Sequence, residues 1–175
     1  MPSCNNIIPI LKSCDDNNLG ALREMYIADY EDVLSFGLTG SVVDTITMAT
    51  ASNFEGFSFK KNMAFYTENQ VVDFEADTHG WEQTITLNLR RIEVDKRDAI
   101  MVLAEGRREL VIITKSNNGD IRIFGTDAGL RLSSSESGSG EDRASGSFYT
   151  LTFTAEIERW KAYDVLQSTL DSVKA

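Results

Sequence analysis

The stretch Tyr149-Thr150-Leu151-Thr152-Phe153-Thr154-Ala155-Glu156-Ile157-Glu158 decides the fold class. Tyr149, Leu151, Phe153, Ala155 and Ile157 alternate with threonines and glutamates, the period of a strand with one face on a core and the other in water. Trp81 to Ile92 carries the same signal, with Ile85, Leu87 and Leu89 inward against Thr84, Thr86 and Asn88. Val71 to Thr78 sets Val72, Phe74 and Ala76 against Asp73, Glu75 and Asp77, and Gly80 closes the turn between these two segments.

Working outward, Leu110 to Thr114 is a continuous apolar run that reads as a strand buried on both faces. Asn117-Asn118-Gly119-Asp120 contains the Asn-Gly pair typical of hairpin turns and leads into Ile121 to Gly125, with Gly129 to Leu132 extending the sheet. Leu22 to Ala28 reads as the first strand, followed by the polar stretch Asp29 to Asp32. Ser41 to Ser52 and Phe57 to Tyr66 read as a hairpin around Asn53-Phe54-Glu55-Gly56. Its first strand is rich in Thr and small residues, so its register is weakly specified. One helix stands out at about 95–106: Asp95 as N-cap, an apolar run Ala99 to Ala104, and Gly106 as the stop ahead of Arg107 and Arg108. Val165, Leu166, Thr169, Leu170 and Val173 give a short C-terminal helix. The sum is a mainly β (α+β) chain, an antiparallel β-sandwich or barrel with one flanking α-helix.

At 175 residues this is one domain. Residues 1–20 read as an N-terminal arm, 21–160 as the β-rich domain, 133–147 as a flexible Ser/Gly-rich loop and 161–175 as a C-terminal tail. No apolar run is long enough to cross a bilayer as a helix, and Met1 to Leu11 lacks the basic region of a signal peptide, so a cytoplasmic origin is expected. The formal net charge of −10 argues against ordinary nucleic-acid binding, which requires clustered Lys and Arg.

Residues for chemistry are scarce. Cys4 and Cys14 have no second cysteine pair and His79 is the lone imidazole, so no zinc set can be assembled. His79 sits in the turn Thr78-His79-Gly80 with no partner to orient it as a base, and no Gly-rich phosphate loop precedes the helix. Asp15 to Gly20 fails as a calcium loop because Leu19 occupies a ligand position. The expectation is no catalytic site, no cofactor and no metal.

The order of these features resembles a family of tail structural proteins from tailed phages and prophages of gut Bacteroidota, crAss-like phages included. The likeness rests on an N-terminal stretch with two cysteines, the segment Arg23-Glu24-Met25-Tyr26-Ile27-Ala28-Asp29-Tyr30, Glu82 to Leu87 ahead of the helix, and the strand Tyr149 to Thr154, spanning roughly Cys4 to Val165. It implies a tail-tube-like fold in the virion: a homo-oligomeric ring or stack of rings, in contact with other tail, neck or portal proteins, through which DNA passes without specific binding. On that reading the hairpin residues Val42, Ile46, Met48, Phe54, Phe57, Phe59 and Phe65 are the candidate intersubunit segment. Asp73, Glu75 and Asp77 are the candidate acidic lumen or solvent face. The alternative is a β-sandwich that binds a ligand or glycan through Phe54, Phe57, Phe65 and Tyr66.

Overall fold

A computed structural model describes residues 19–175 except 58, 61, 74, 76–77, 91–92, 106–107 and 140–145. The strands are β1 (Leu22–Asp29), β2 (Val33–Thr39), β3 (Val42–Met48), β4 (Glu55–Phe57), β5 (Ala64–Asp73), β6 (Thr78–Arg90), β7 (Leu110–Ser116), β8 (Ile121–Phe124), β9 (Leu130–Gly138), β10 (Phe148–Ala155) and β11 (Tyr163–Val165). The helices are α1 (Val94–Glu105) and α2 (Gln167–Val173), with a single 3-10 turn at Tyr30–Asp32. The fold class is mainly β with two helices, as the alternation predicts. The sheet is open, in the order β2-β3-β11-β8-β7-β9-β10-β6-β5, with β1 bridging β4 and β7. It is mixed because β11 runs parallel to β3.

Strand β7 organises the interior. Leu110, Val111, Ile112, Ile113 and Thr114 are all buried, so both of its faces are covered. Leu110 and Ile112 join a first core with Leu22, Met25, Ile85, Leu87, Leu151 and Phe153. Val111 and Ile113 point the other way, into a second core with Val43, Phe54, Ile123, Val165, Leu170 and Val173. The strict two-residue period of a strand makes this split automatic. A branched apolar residue removed from water on either face contributes about 1.5–3 kcal/mol.

Several sequence expectations need correction. Residues 41–66 do not form a hairpin: β3 pairs with β2, β4 with β1, and β5 with β6. Gly40, at φ +68°, supplies the left-handed turn that folds β3 back on β2. Val71 to Thr78 is not one strand; β5 ends at Asp73, Glu75 lies in a turn, and β6 begins at Thr78, so His79 and Gly80 are strand residues. Ser133 to Gly138, expected as flexible loop, is the outer part of β9 and pairs with β10 from Phe148 to Thr152. Residues 161–175 are no appendage. Tyr163 and Asp164 pair with β8, Asp164 and Val165 pair with β3, and Leu170 and Val173 of α2 are buried in the second core. The expected helix at 95–106 forms as α1. The cysteines and most of the expected N-terminal arm lie outside the described residues.

The turn between β8 and β9 is closely packed. Gly125 has φ +74°, and a Cβ there would sit 2.6 Å from Leu130 Cδ1, 2.8 Å from the Leu110 carbonyl and 2.9 Å from the Leu130 nitrogen. Two of those three atoms are backbone and cannot step aside. Gly125→Ala combines left-handed strain with overpacking and is expected to cost about 3 kcal/mol, read as a lower urea midpoint at unchanged m-value. An unshifted midpoint would contradict this packing.

Candidate assembly surfaces

Four polar side chains are buried among the described residues: Gln83, Thr114, Glu158 and Thr169. Glu158 is fully buried, and its carboxylate accepts the backbone N–H of Asp127 at 2.9 Å and of Ala128 at 3.0 Å. Its own N–H and C=O pair with Trp81 at 2.9 and 2.8 Å. Beside it Gln83, also buried, accepts the Gly125 N–H at 3.0 Å and donates to the Trp160 carbonyl at 3.3 Å. These two side chains staple the β8–β9 turn and the chain after β10 onto β6. Both spend their polar atoms on backbone, and Glu158 has no access to a substrate. Their role is positional. Among the described residues no three His, Cys, Asp or Glu side chains gather as a metal site, and no helix is long and apolar enough to cross a membrane.

The expected intersubunit residues disperse. Phe54 and Ile46 are buried in the second core, with Met48 packed at its edge. Phe57 and Phe59 pack against the first core. Val42 is half-buried in β3, between Thr39 of β2 and Asp164 of β11. Phe65 alone of the set is presented to solvent, 49% exposed on β5. The acidic set also separates: Asp73 ends β5 and accepts the Glu75 N–H at 2.9 Å, while Asp77 lies outside the described residues. Asp73 and Glu75 therefore shape a turn and do not line one strand face.

The two ends of the sheet are left open among the described residues. At one end of the sheet, β5 runs for ten residues in unbroken register with β6, from Ala64 opposite Leu87 to Asp73 opposite Thr78. Among the described residues no strand pairs with its other side. About half of its backbone N–H and C=O groups thus face outward. Edge strands are normally blunted by Lys, Pro, bulges or short length. β5 has no Lys, no Pro and no register shift, and its charges are confined to Glu68, turned onto the Ala162 N–H, and Asp73 at its end. Past the body of the protein the β5–β6 pair becomes an arm. Asn69, Gln70, Val71, Val72 and Asp73 are exposed in succession, as are Thr78 and His79 opposite, whereas Gly80, opposite Val71, is buried against Ile157.

The far end of the sheet is different in kind. β2 has no charged residue and exposes Leu34 (64%) and Leu38 (48%), but its pairing with β3 shifts register twice. Those irregularities bend the strand and make it a poorer template than β5. Helix α1 buries only Ile100 fully among its described side chains and leaves Val94, Met101 and Val102 in solvent. The apolar run that marks the helix in the sequence is thus more than one core consumes.

Comparison with protein-family models, with curated proteins and with solved structures finds no match for this chain.

Burial raises the Glu158 carboxyl above its ordinary value of 4.5, against the backbone hydrogen bonds that favour its ionised form. The native state therefore holds this proton more tightly than the unfolded chain. The stability so gained is complete below the ordinary value and is lost as pH rises through the raised native value. In urea titrations at successive pH, the stability of wild type relative to Glu158→Gln is expected to fall as pH rises from 4.5 toward neutrality. A difference that is flat or grows over that range would contradict this assignment.

Proposed function

We propose that this chain is a structural subunit of a tailed-phage tail, assembling with copies of itself into a ring or tube that conducts DNA. The observation that carries the reading is the β5–β6 arm with its unpaired outer edge, free of Lys and Pro. An isolated two-stranded hairpin is marginal in water, so the exposed end of this arm, where Val72 faces His79 and Asp73 faces Thr78, gains most when another chain covers it. A strand of a second copy added to β5 satisfies the outward backbone groups and buries Val71 and Val72. Because the two ends of the open sheet differ, a contact made by β5 on another surface of the next copy is head-to-tail. Such contacts close into rings or extend into filaments.

The charge is consistent with this use. Each copy adds −10 to the assembly, and an acidic conduit repels a passing phosphate backbone. The same charge opposes association, but screening over about 8–10 Å at moderate ionic strength confines the repulsion to near neighbours. Assembly is therefore expected to strengthen with added salt.

Lysines placed on the edge test the mechanism without touching a core, since Thr67 and Val72 are both exposed. In light scattering across a concentration series, with negative-stain images of the same fractions, wild type is expected to form rings or tubes. The Thr67→Lys/Val72→Lys variant is expected to stay monomeric with unchanged thermal stability. A wild type that is monomeric at every concentration and salt, or a variant that assembles equally well, would overturn the reading.

A further inference from the structure

Strand β9 carries a further unpaired edge. One side of it follows β10, from Leu130 opposite Ala155 to Gly138 opposite Phe148, but the other meets β7 only where Leu130 faces Leu110. Beyond Leu130 no strand lies on that second side among the described residues. Helix α1 approaches β9, yet Ser134, Ser135, Glu136 and Ser137 stay exposed in succession. Residues 134–138 contain no Lys and no Pro, the usual guards of an edge. β5 and β9 are thus the two borders of one four-stranded block, β9-β10-β6-β5. Resting on the assembly reading above, we propose that the partner of β5 is residues 134–138 of β9 on the next copy, so that the block continues from copy to copy as one sheet.

Three observations carry the match. The first is direction. Every junction inside the block is antiparallel, and the block has four strands, an even count. Rotation about an axis along the strands leaves their directions unchanged, so β5 of one copy meets β9 of the next antiparallel as well. The second is offset. Phe65 stands level with Ser134, through Thr86 and Thr152. The outer half of β9 extends from that level in one direction, and the exposed end of β5 extends in the other. Asn69 lies four residues beyond the level and Glu136 two residues on its opposite side, so bringing them together takes a stagger of six residues. Strands of a closed sheet tilt by about 35–45°. Across four strands about 4.8 Å apart, at about 3.3 Å per residue, that tilt produces a stagger of about 4–6 residues. The two projecting halves are therefore displaced by an amount that closure of a ring requires. The third is side-chain chemistry. An even stagger keeps the same face of every copy on the same side of the sheet. It sets Glu136 opposite Asn69, Ser135 opposite Gln70 and Ser137 opposite Glu68, with no like charges facing each other. The β2 end offers no comparable partner, because its register with β3 shifts twice.

The test sizes the full chain by light scattering. Ser135→Lys/Ser137→Lys alters two exposed positions of β9 and is expected to abolish assembly at unchanged thermal stability. Mixed with Thr67→Lys/Val72→Lys, it is expected to form a 1:1 dimer and nothing larger, because one intact β5 then meets one intact β9. Leu34→Lys/Leu38→Lys on β2 is expected to assemble as wild type does. Should the lysines unfold the chain, Asn69→Cys/Glu136→Cys in a Cys4→Ser/Cys14→Ser background reads the same contact. Mild oxidation is expected to link its copies into a covalent ladder, and to give none with Asn69→Cys/Leu34→Cys. If wild type assembles, any of three results overturns the β9 assignment and leaves the role of β5 standing: a β9 variant that assembles equally well, loss of assembly in the β2 variant, or no ladder from Asn69→Cys/Glu136→Cys. A wild type that never assembles overturns both.

Discussion

The double burial of β7 is the constraint on which the rest of the molecule depends. A strand with apolar residues on both faces needs a layer on each side, and this chain supplies one from its middle and the other from segments nearer its two ends. β5, β6, β9 and β10 close the first core, while β2, β3, β11 and α2 close the second. The sheet therefore grows outward from its centre in two directions, and its interior strands are paired on both sides. The cost of the arrangement falls on the ends. An open sheet must finish somewhere, and here one finish is a long strand in unbroken register with its single neighbour among the described residues.

The strands with clean alternation were legible in the sequence because each reports its own burial. Ile85, Leu87, Leu89, Tyr149, Leu151 and Phe153 are buried as their period requires. Both helices and the Asn-Gly turn were legible from local chemistry. What could not be read was pairing between segments far apart in the chain. β3 reads as half of a hairpin with the segment after it, yet its partner is β2, where Leu34, Phe36 and Leu38 alternate with Ser35, Gly37 and Thr39 but nothing local says which strand they pair with. The Ser/Gly composition of 133–138 points to a loop because side-chain burial there is slight. Backbone pairing to β10 orders it all the same.

The candidate site was less legible than the fold, for a reason that Glu158 illustrates. Continued alternation from Tyr149 places Ile157 inward and Glu158 outward. β10 ends at Ala155, the chain bends, and the parity flips: Ile157 is 60% exposed and Glu158 is fully buried. A one-residue slip inverts every face beyond it. The aromatic residues of 54–59 suffered a similar fate, since their type suggests a contact surface and their place is in two cores. The β5 edge left only a negative mark in the sequence, the absence of Lys and Pro. Such a signal has meaning only once the strand is known to stand at the end of a sheet.

An assembling subunit with this topology concentrates its unsatisfied backbone in one place, and amide hydrogen exchange reads that place directly. Exchange followed by mass spectrometry in dilute and in assembled fractions would compare residues 64–73 with the β7 amides of 110–116. The account predicts that β7 is protected in both fractions and that β5 gains protection only on assembly. Equal exchange of β5 in the two fractions, with an assembly demonstrably present, would contradict it.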